Sequence, residues 1–244
     1  MSANEPFVAY GTIVIVGGGC YGSYYVRQLQ RAVSAGALSA KRLLIVDHDP
    51  NCAVANTLDS SVVPAEMVVR EWRDFFDAYL TEAAERPEEF AKDAIVPSPL
   101  MPHLMGEWLV KRATERFDQV ETRPFERLPQ VPWERAGENG THYVSFATWM
   151  CPINCIEPRI CPHTRDVRTW SLPETLAAHH TGSAVLFCRH RAYGVGMFDT
   201  AEVIAADSRI REAGERGDAD VIIGTVSHCH GALTRLLISR SPVR

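Results

Sequence analysis

Basic residues are in short supply in this chain, and long apolar runs are missing. Its 244 residues carry 25 Lys and Arg against 30 Asp and Glu, for a formal charge of −5. That balance gives no electrostatic ground for binding nucleic acid or an acidic membrane surface. No apolar stretch approaches the roughly 20 residues that a membrane helix needs. The opening MSANEPFVAYG lacks a basic segment followed by a long apolar one, so a soluble cytoplasmic protein without a signal peptide is expected. The sequence holds no repeat, no low-complexity tract, no nucleophile elbow and no serine–histidine–acid constellation. The partners left open are a small-molecule substrate or effector, a second copy of the chain, and a redox-partner protein.

What is present begins with enough apolar residues, 46%, for a buried core. Short β-branched or apolar runs at 12–16, 43–46, 67–69, 94–96, 120–125, 184–187 and 221–225 read as strands. Helical patterns lie between them at 21–35, 72–84, 103–117 and 199–213, and Ser227 is placed to cap a last helix running to 238. Ser171-Leu172-Pro173-Glu174 has the form of a capping box. Alternation of this kind implies an α/β fold, doubly wound around a mostly parallel sheet. Three regions are expected: 1–126 binds the ligand, 127–170 is an irregular cysteine-containing lobe, and 171–244 is an α/β segment completing the sheet. The turn Glu138-Asn139-Gly140 falls inside the lobe.

Gly17-Gly18-Gly19-Cys20-Tyr21-Gly22 follows the first strand and opens the first helix. Gly17 permits the tight turn, Gly19 lets backbone approach a pyrophosphate, and Gly22 lets the helix pack close to the sheet. The helix N-terminus offers free N–H groups and partial positive charge to phosphates. Asp47 ends the second strand, 25 residues after Gly22, and the turn at 36–39 absorbs the excess over the usual spacing of about 20. Its carboxylate suits the adenine ribose hydroxyls and repels a 2′-phosphate. His48-Asp49-Pro50 supplies no arginine to hold that phosphate, so NAD is favoured over NADP. Ser98, between Pro97 and Pro99 after the fourth strand, is positioned to bond a carboxamide or to serve as a turn residue.

On these residues, the region from 12 to about 100 resembles the NAD(P)-binding Rossmann superfamily. Within it, the region is similar to the nucleotide-sensing domains of bacterial potassium-uptake regulators. It also resembles the adenylating, ubiquitin-activating type of fold, whose D-x-D and asparagine are echoed by Asp47, Asp49 and Asn56. The arginine which that type carries next is absent from Thr57-Leu58-Asp59-Ser60. The resemblance implies a bound dinucleotide and, by that route, an NAD-dependent oxidoreductase. A non-catalytic nucleotide sensor and an ATP-using adenylating protein are the alternatives.

Seven cysteines are many for a chain of this size, and three of them, Cys151, Cys155 and Cys161, fall within eleven residues. In a reducing compartment they are not expected to form a disulfide framework. Cys151 and Cys155 loosely fit zinc-ligand spacing, and prolines after Cys151 and Cys161 are of the kind found beside iron–sulfur ligands. A zinc ion, an iron–sulfur cluster, a redox-active thiol group and a tight buried loop are the available readings. For a metal, Cys188, Cys229, His163, His228 or His230 could supply the fourth ligand, or the position could stay open. Arg159, Arg165 and Arg168 surround the segment. His228, Cys229 and His230 follow the last predicted strand, at the sheet edge where ligands bind, and are the candidate catalytic group.

Overall fold

The structure is a computed structural model that describes residues 8–239 apart from 61, 126, 127, 129, 138 and 181, without the side chains of 56, 59 and 60. Residues 1–7, Glu138, the side chain of Asn56 and the end of the 171–244 segment, all of which entered the sequence reading, lie outside it. The strands are β1 (Val8–Val16), β2 (Leu38–Asp47), β3 (Ala65–Val69), β4 (Ala94–Val96), β5 (Gln119–Arg123), β6 (Trp133–Ala136), β7 (Thr141–Ser145), β8 (Ser183–Phe187), β9 (Arg189–Ala192), β10 (Val195–Asp199), β11 (Ala219–Val226) and β12 (His230–Ser239). The helices are α1 (Cys20–Ser34), α2 (Trp72–Glu85), α3 (Leu104–Arg116), α4 (Leu172–His179) and α5 (Thr200–Arg216). None among the described residues is long and apolar enough to cross a membrane.

The chain divides into two compact units, Met1–Leu100 with Arg189–Ala201, and Met101–Cys188 with Glu202–Arg244. In the first, the sheet order is β3-β2-β1-β4-β10-β9. The first four strands run parallel, β10 lies antiparallel to β4, and β9 antiparallel to β10. Ile13 to Val16, Leu43 to Val46 and Ala94 to Val96 are all buried, which explains their near-continuous apolar sequence. Val26, Leu29 and Ala32 of α1 join Ile13, Ile15, Leu43 and Ile45 in one core, where each buried branched side chain contributes about 2 kcal/mol.

The second unit has the order β6-β7-β12-β11-β8, with β5 also paired to β12. Only β8 and β11 run parallel; the other pairs are antiparallel. The fold is therefore α/β, but the single mostly parallel sheet expected from the sequence is corrected to two mixed sheets. Three local expectations fall with it. The strand at 120–125 pairs antiparallel with β12. The lobe at 127–170 contains the β6–β7 hairpin, whose turn holds Asn139 and Gly140 at φ 53° and 73°. The last helix is β12, because Thr234, Leu236 and Ile238 alternate toward the interior of a strand bonded on both sides.

Candidate functional site

In the first unit, β1 runs into the glycine loop. Gly17 turns at φ +85° and its N–H donates to the Val46 carbonyl at 2.8 Å. A Cβ on Gly22 would run into the Gly17 carbonyl, so this glycine is required for the helix to start where it does. A Cβ on Gly18 would meet the Cys52 sulfur, and Val54 N–H donates to the Gly18 carbonyl at 2.9 Å. Gly19 is exposed, with nothing within 4 Å of where a Cβ would stand. It precedes α1 without a side-chain cap, and the first turn carries no acidic residue. No acid in its own first turn opposes the positive end of the helix. Cys20 is exposed there, Tyr21 is half-buried, and the buried Ser23 hydroxyl has no hydrogen-bond partner among the described residues.

Asp47 is buried at the tip of β2. Its Oδ2 accepts the Gly18 N–H at 2.7 Å and its Oδ1 the Asp49 N–H at 2.9 Å. Each oxygen keeps a further lone pair for a ligand hydroxyl. The excess spacing before Asp47 is taken up by strand, since β2 already begins at Leu38. Ser98 is buried and accepts the Leu100 N–H at 3.2 Å, the geometry of a turn residue. Trp72, which the sequence did not single out, donates its indole N–H to Val46 O at 2.9 Å and sets its ring edge-on to His48.

The second unit holds the cysteine segment. His228 and Cys229 sit in the turn between β11 and β12, closed by Ser227 N–H to His230 O at 2.8 Å, and not at a helix start. Glu157 organises that turn. Its buried carboxylate accepts the Ser227 hydroxyl at 2.6 Å, the His228 N–H at 2.8 Å and the Cys229 N–H at 3.1 Å. Sequence reasoning missed Glu157, although an acid flanked by cysteines and proline was a visible signal. The Ser171 hydroxyl pairs with His228 Nδ1 at 3.1 Å instead of capping α4, and Ser145 Oγ pairs with His230 Nδ1 at 2.9 Å. Burial pulls both imidazoles below their ordinary pKa, with Arg168 adding to the effect at His228.

All seven cysteines are free. Burial pushes the Cys151 thiol up to about 11, with Cys155 and Cys161 near enough to add to the shift. Burial and Glu157 push Cys229 up to about 12. Cys161 moves the other way, because the backbone N–H groups of Thr164 and His163 bond toward its sulfur. Those bonds arise in a small knuckle. The Ile160–Val167 bridge closes it, Cys161 N–H donates to Asp166 O at 2.9 Å, and Arg165 turns back at φ 63°. Among the described residues, no group of three or more His, Cys, Asp or Glu side chains is placed to hold a metal ion as it stands.

Residues 105–239 match the model of a family described as an uncharacterized protein, C-terminal domain. No curated protein and no solved structure matches the chain.

Proposed function

The chain belongs to that family, and we propose, from the glycine loop and the cysteine segment, that it is an NAD-binding oxidoreductase whose cysteine segment holds a metal ion or an iron–sulfur cluster. One observation carries the dinucleotide half: Asp47 Oδ2 and the Gly18 N–H meet at 2.7 Å beside an exposed, uncapped helix start. That pairing sets a carboxylate for ribose hydroxyls next to amides for a diphosphate. The parallel order β3-β2-β1-β4 is what a Rossmann-type half requires. Gly17, Gly18, Gly19, Cys20, Tyr21, Gly22 and Asp47 are the proposed contacts, and Asp47 disfavours NADP. In the second unit Cys151, Cys155 and Cys161 are the proposed ligands. His228 and His230, each fixed through Nδ1 by a serine, are the proposed proton carriers beside Cys229. Seven free thiols suit a reducing cytoplasm.

Calorimetric titration with NAD⁺, NADH, NADP⁺ and ATP tests the first half. Submicromolar to micromolar NAD⁺ or NADH with weaker NADP⁺ is expected, and binding of ATP alone would replace this reading with the adenylating one. A nucleotide sensor is the second reading. Dinucleotide binding without turnover of NADH by any electron acceptor would select it.

A further inference from the structure

The cysteine segment supplies three sulfurs within one stretch of chain, and the fold brings a fourth to them from a turn far away in sequence. Three side chains do the bringing. Glu157, two residues after Cys155, receives the Cys229 N–H at 3.1 Å. Trp170 donates its indole N–H to the Cys229 sulfur at 3.2 Å and sits edge-on to Trp149, with ring centroids 6.5 Å apart. Trp149 precedes Cys151 by two residues and stacks on His163 at 4.5 Å, just beyond Cys161. One tryptophan pair and one carboxylate therefore staple the surroundings of all four cysteines together.

The same neighbourhood is rich in N–H groups that lack oxygen acceptors. The buried Nε–H of Arg168 has no hydrogen-bond partner among the described residues, and the buried indole N–H of Trp149 reaches no acceptor but the Cys151 sulfur. The Trp170 indole and the backbone amides of His163 and Thr164 spend their N–H groups on sulfur. Buried donors without acceptors are costly, about 1–3 kcal/mol each. Thiolates carrying full negative charge would satisfy them, and N–H bonds to sulfur are the means by which proteins tune metal–thiolate centres.

We infer that Cys229 is the fourth ligand of a four-thiolate centre completed by Cys151, Cys155 and Cys161, with the indole N–H groups of Trp149 and Trp170 as its outer hydrogen-bond donors. The inference rests on the metal reading above and makes it specific. It selects Cys229 over Cys188, His163, His228 and His230. The cation class is one that prefers soft sulfur, zinc or the iron of a cluster. The four sulfurs do not converge as they stand, so binding requires rotation of the cysteine side chains within the segment. Each thiol that ligates gives its proton to solvent.

The test uses the full chain, purified anaerobically and loaded in separate arms with zinc, with cobalt(II), and with ferrous iron plus sulfide. Metal per chain and the ultraviolet–visible spectrum are read for the wild type, for each of Cys151→Ser, Cys155→Ser, Cys161→Ser and Cys229→Ser, and for Cys188→Ser and His163→Phe, the last keeping an aromatic ring against Trp149. Cys229→Ser is expected to lose at least tenfold in metal affinity, as each of the other three does, with Cys188→Ser and His163→Phe unchanged. Retention of the wild-type spectrum and affinity in Cys229→Ser, alongside loss in the other three, overturns the fourth-ligand assignment and leaves the metal reading standing. Absence of binding by the wild type in every arm overturns both. If Cys229→Ser does not fold, the sulfur-to-cobalt charge-transfer intensity of the wild type decides, since four thiolates absorb more strongly than three. An intensity matching three sulfurs overturns the assignment.

Discussion

The Ser227 hydroxyl donates to the Glu157 carboxylate at 2.6 Å, across 70 residues of chain. Two backbone amides of the β11–β12 turn share the same carboxylate. Hydrogen bonds to a charged group contribute about 1.5–3 kcal/mol each, and a truncated partner strands every donor at once. Glu157→Ala is therefore expected to lower the unfolding free energy by about 3 kcal/mol, with Glu157→Gln losing less because one acceptor oxygen survives. Urea denaturation at constant m-value checks both. A Glu157→Ala loss below about 1 kcal/mol would show that the carboxylate does not organise the turn.

How much of this was legible in the sequence depended on whether a segment's signal was local. β1, α1 and β2 announce themselves, because buried parallel strands read as unbroken apolar runs and glycines mark the loop between them. The β9–β10 hairpin does not. Its strand Arg189–Ala192 is polar at three of its four positions, and the one local signal is its two-residue turn, Tyr193-Gly194, at φ 47° and 79°. β12 failed for another reason. A short apolar run of Leu and Ile fits helix or strand equally, and a serine–histidine turn resembles a helix cap. At the sites, the turn at Gly17 and the close packing at Gly22 could be read from spacing. Glu157 could not be paired with residues 227–229 from spacing, since that contact exists only once the second sheet has formed.

Asp47 holds the glycine loop whether or not a ligand is present, so its removal should act on stability and on binding separately. Asp47→Ala leaves the Gly18 N–H without its acceptor and is expected to cost about 2 kcal/mol. Asp47→Asn keeps an acceptor oxygen and should cost less, while removing the charge that repels a 2′-phosphate. Titration calorimetry should then show NAD⁺ affinity reduced at least tenfold in Asp47→Ala, and a narrowed NAD⁺ over NADP⁺ preference in Asp47→Asn. An unchanged preference would mean that Asp47 does not face the ribose.

In the second sheet Arg235 grips Asp220 with Nη2 at 2.7 Å and Nε at 3.0 Å, which holds the carboxyl below its ordinary pKa of 3.8. A folded-state pKa below the unfolded one stabilises the protein above about 3.8, and that contribution disappears as pH falls through the folded value. Asp220 is 38% exposed, so solvent screens the pair and the gain at neutral pH should stay under about 1 kcal/mol. Arg235→Gln is expected to leave stability at pH 7 nearly unchanged and to flatten the acid limb below pH 3.8. Denaturation midpoints across pH 2–7 measure this, and parallel acid limbs for wild type and variant would refute it.

Gly19 and Gly22 offer the sharpest separation of folding from ligand binding, because they lie three residues apart, one just before α1 and one in its first turn. A methyl group on Gly22 must enter the space of the Gly17 carbonyl, which is backbone and cannot swing aside. Gly22→Ala should therefore cost upward of about 3 kcal/mol or prevent folding, through steric strain at the start of α1. A methyl group on Gly19 meets nothing within 4 Å, and Gly19 sits in extended backbone at φ −72° that alanine adopts freely. Gly19→Ala should stay within about 1 kcal/mol of wild type. If a diphosphate lies against the Gly19 backbone, that same methyl group occupies its place, and dinucleotide affinity should fall tenfold or more. Thermal melts with and without NAD⁺ read both effects in one experiment. A Gly19→Ala protein that melts like wild type and still gains the full ligand-induced shift would place the diphosphate elsewhere.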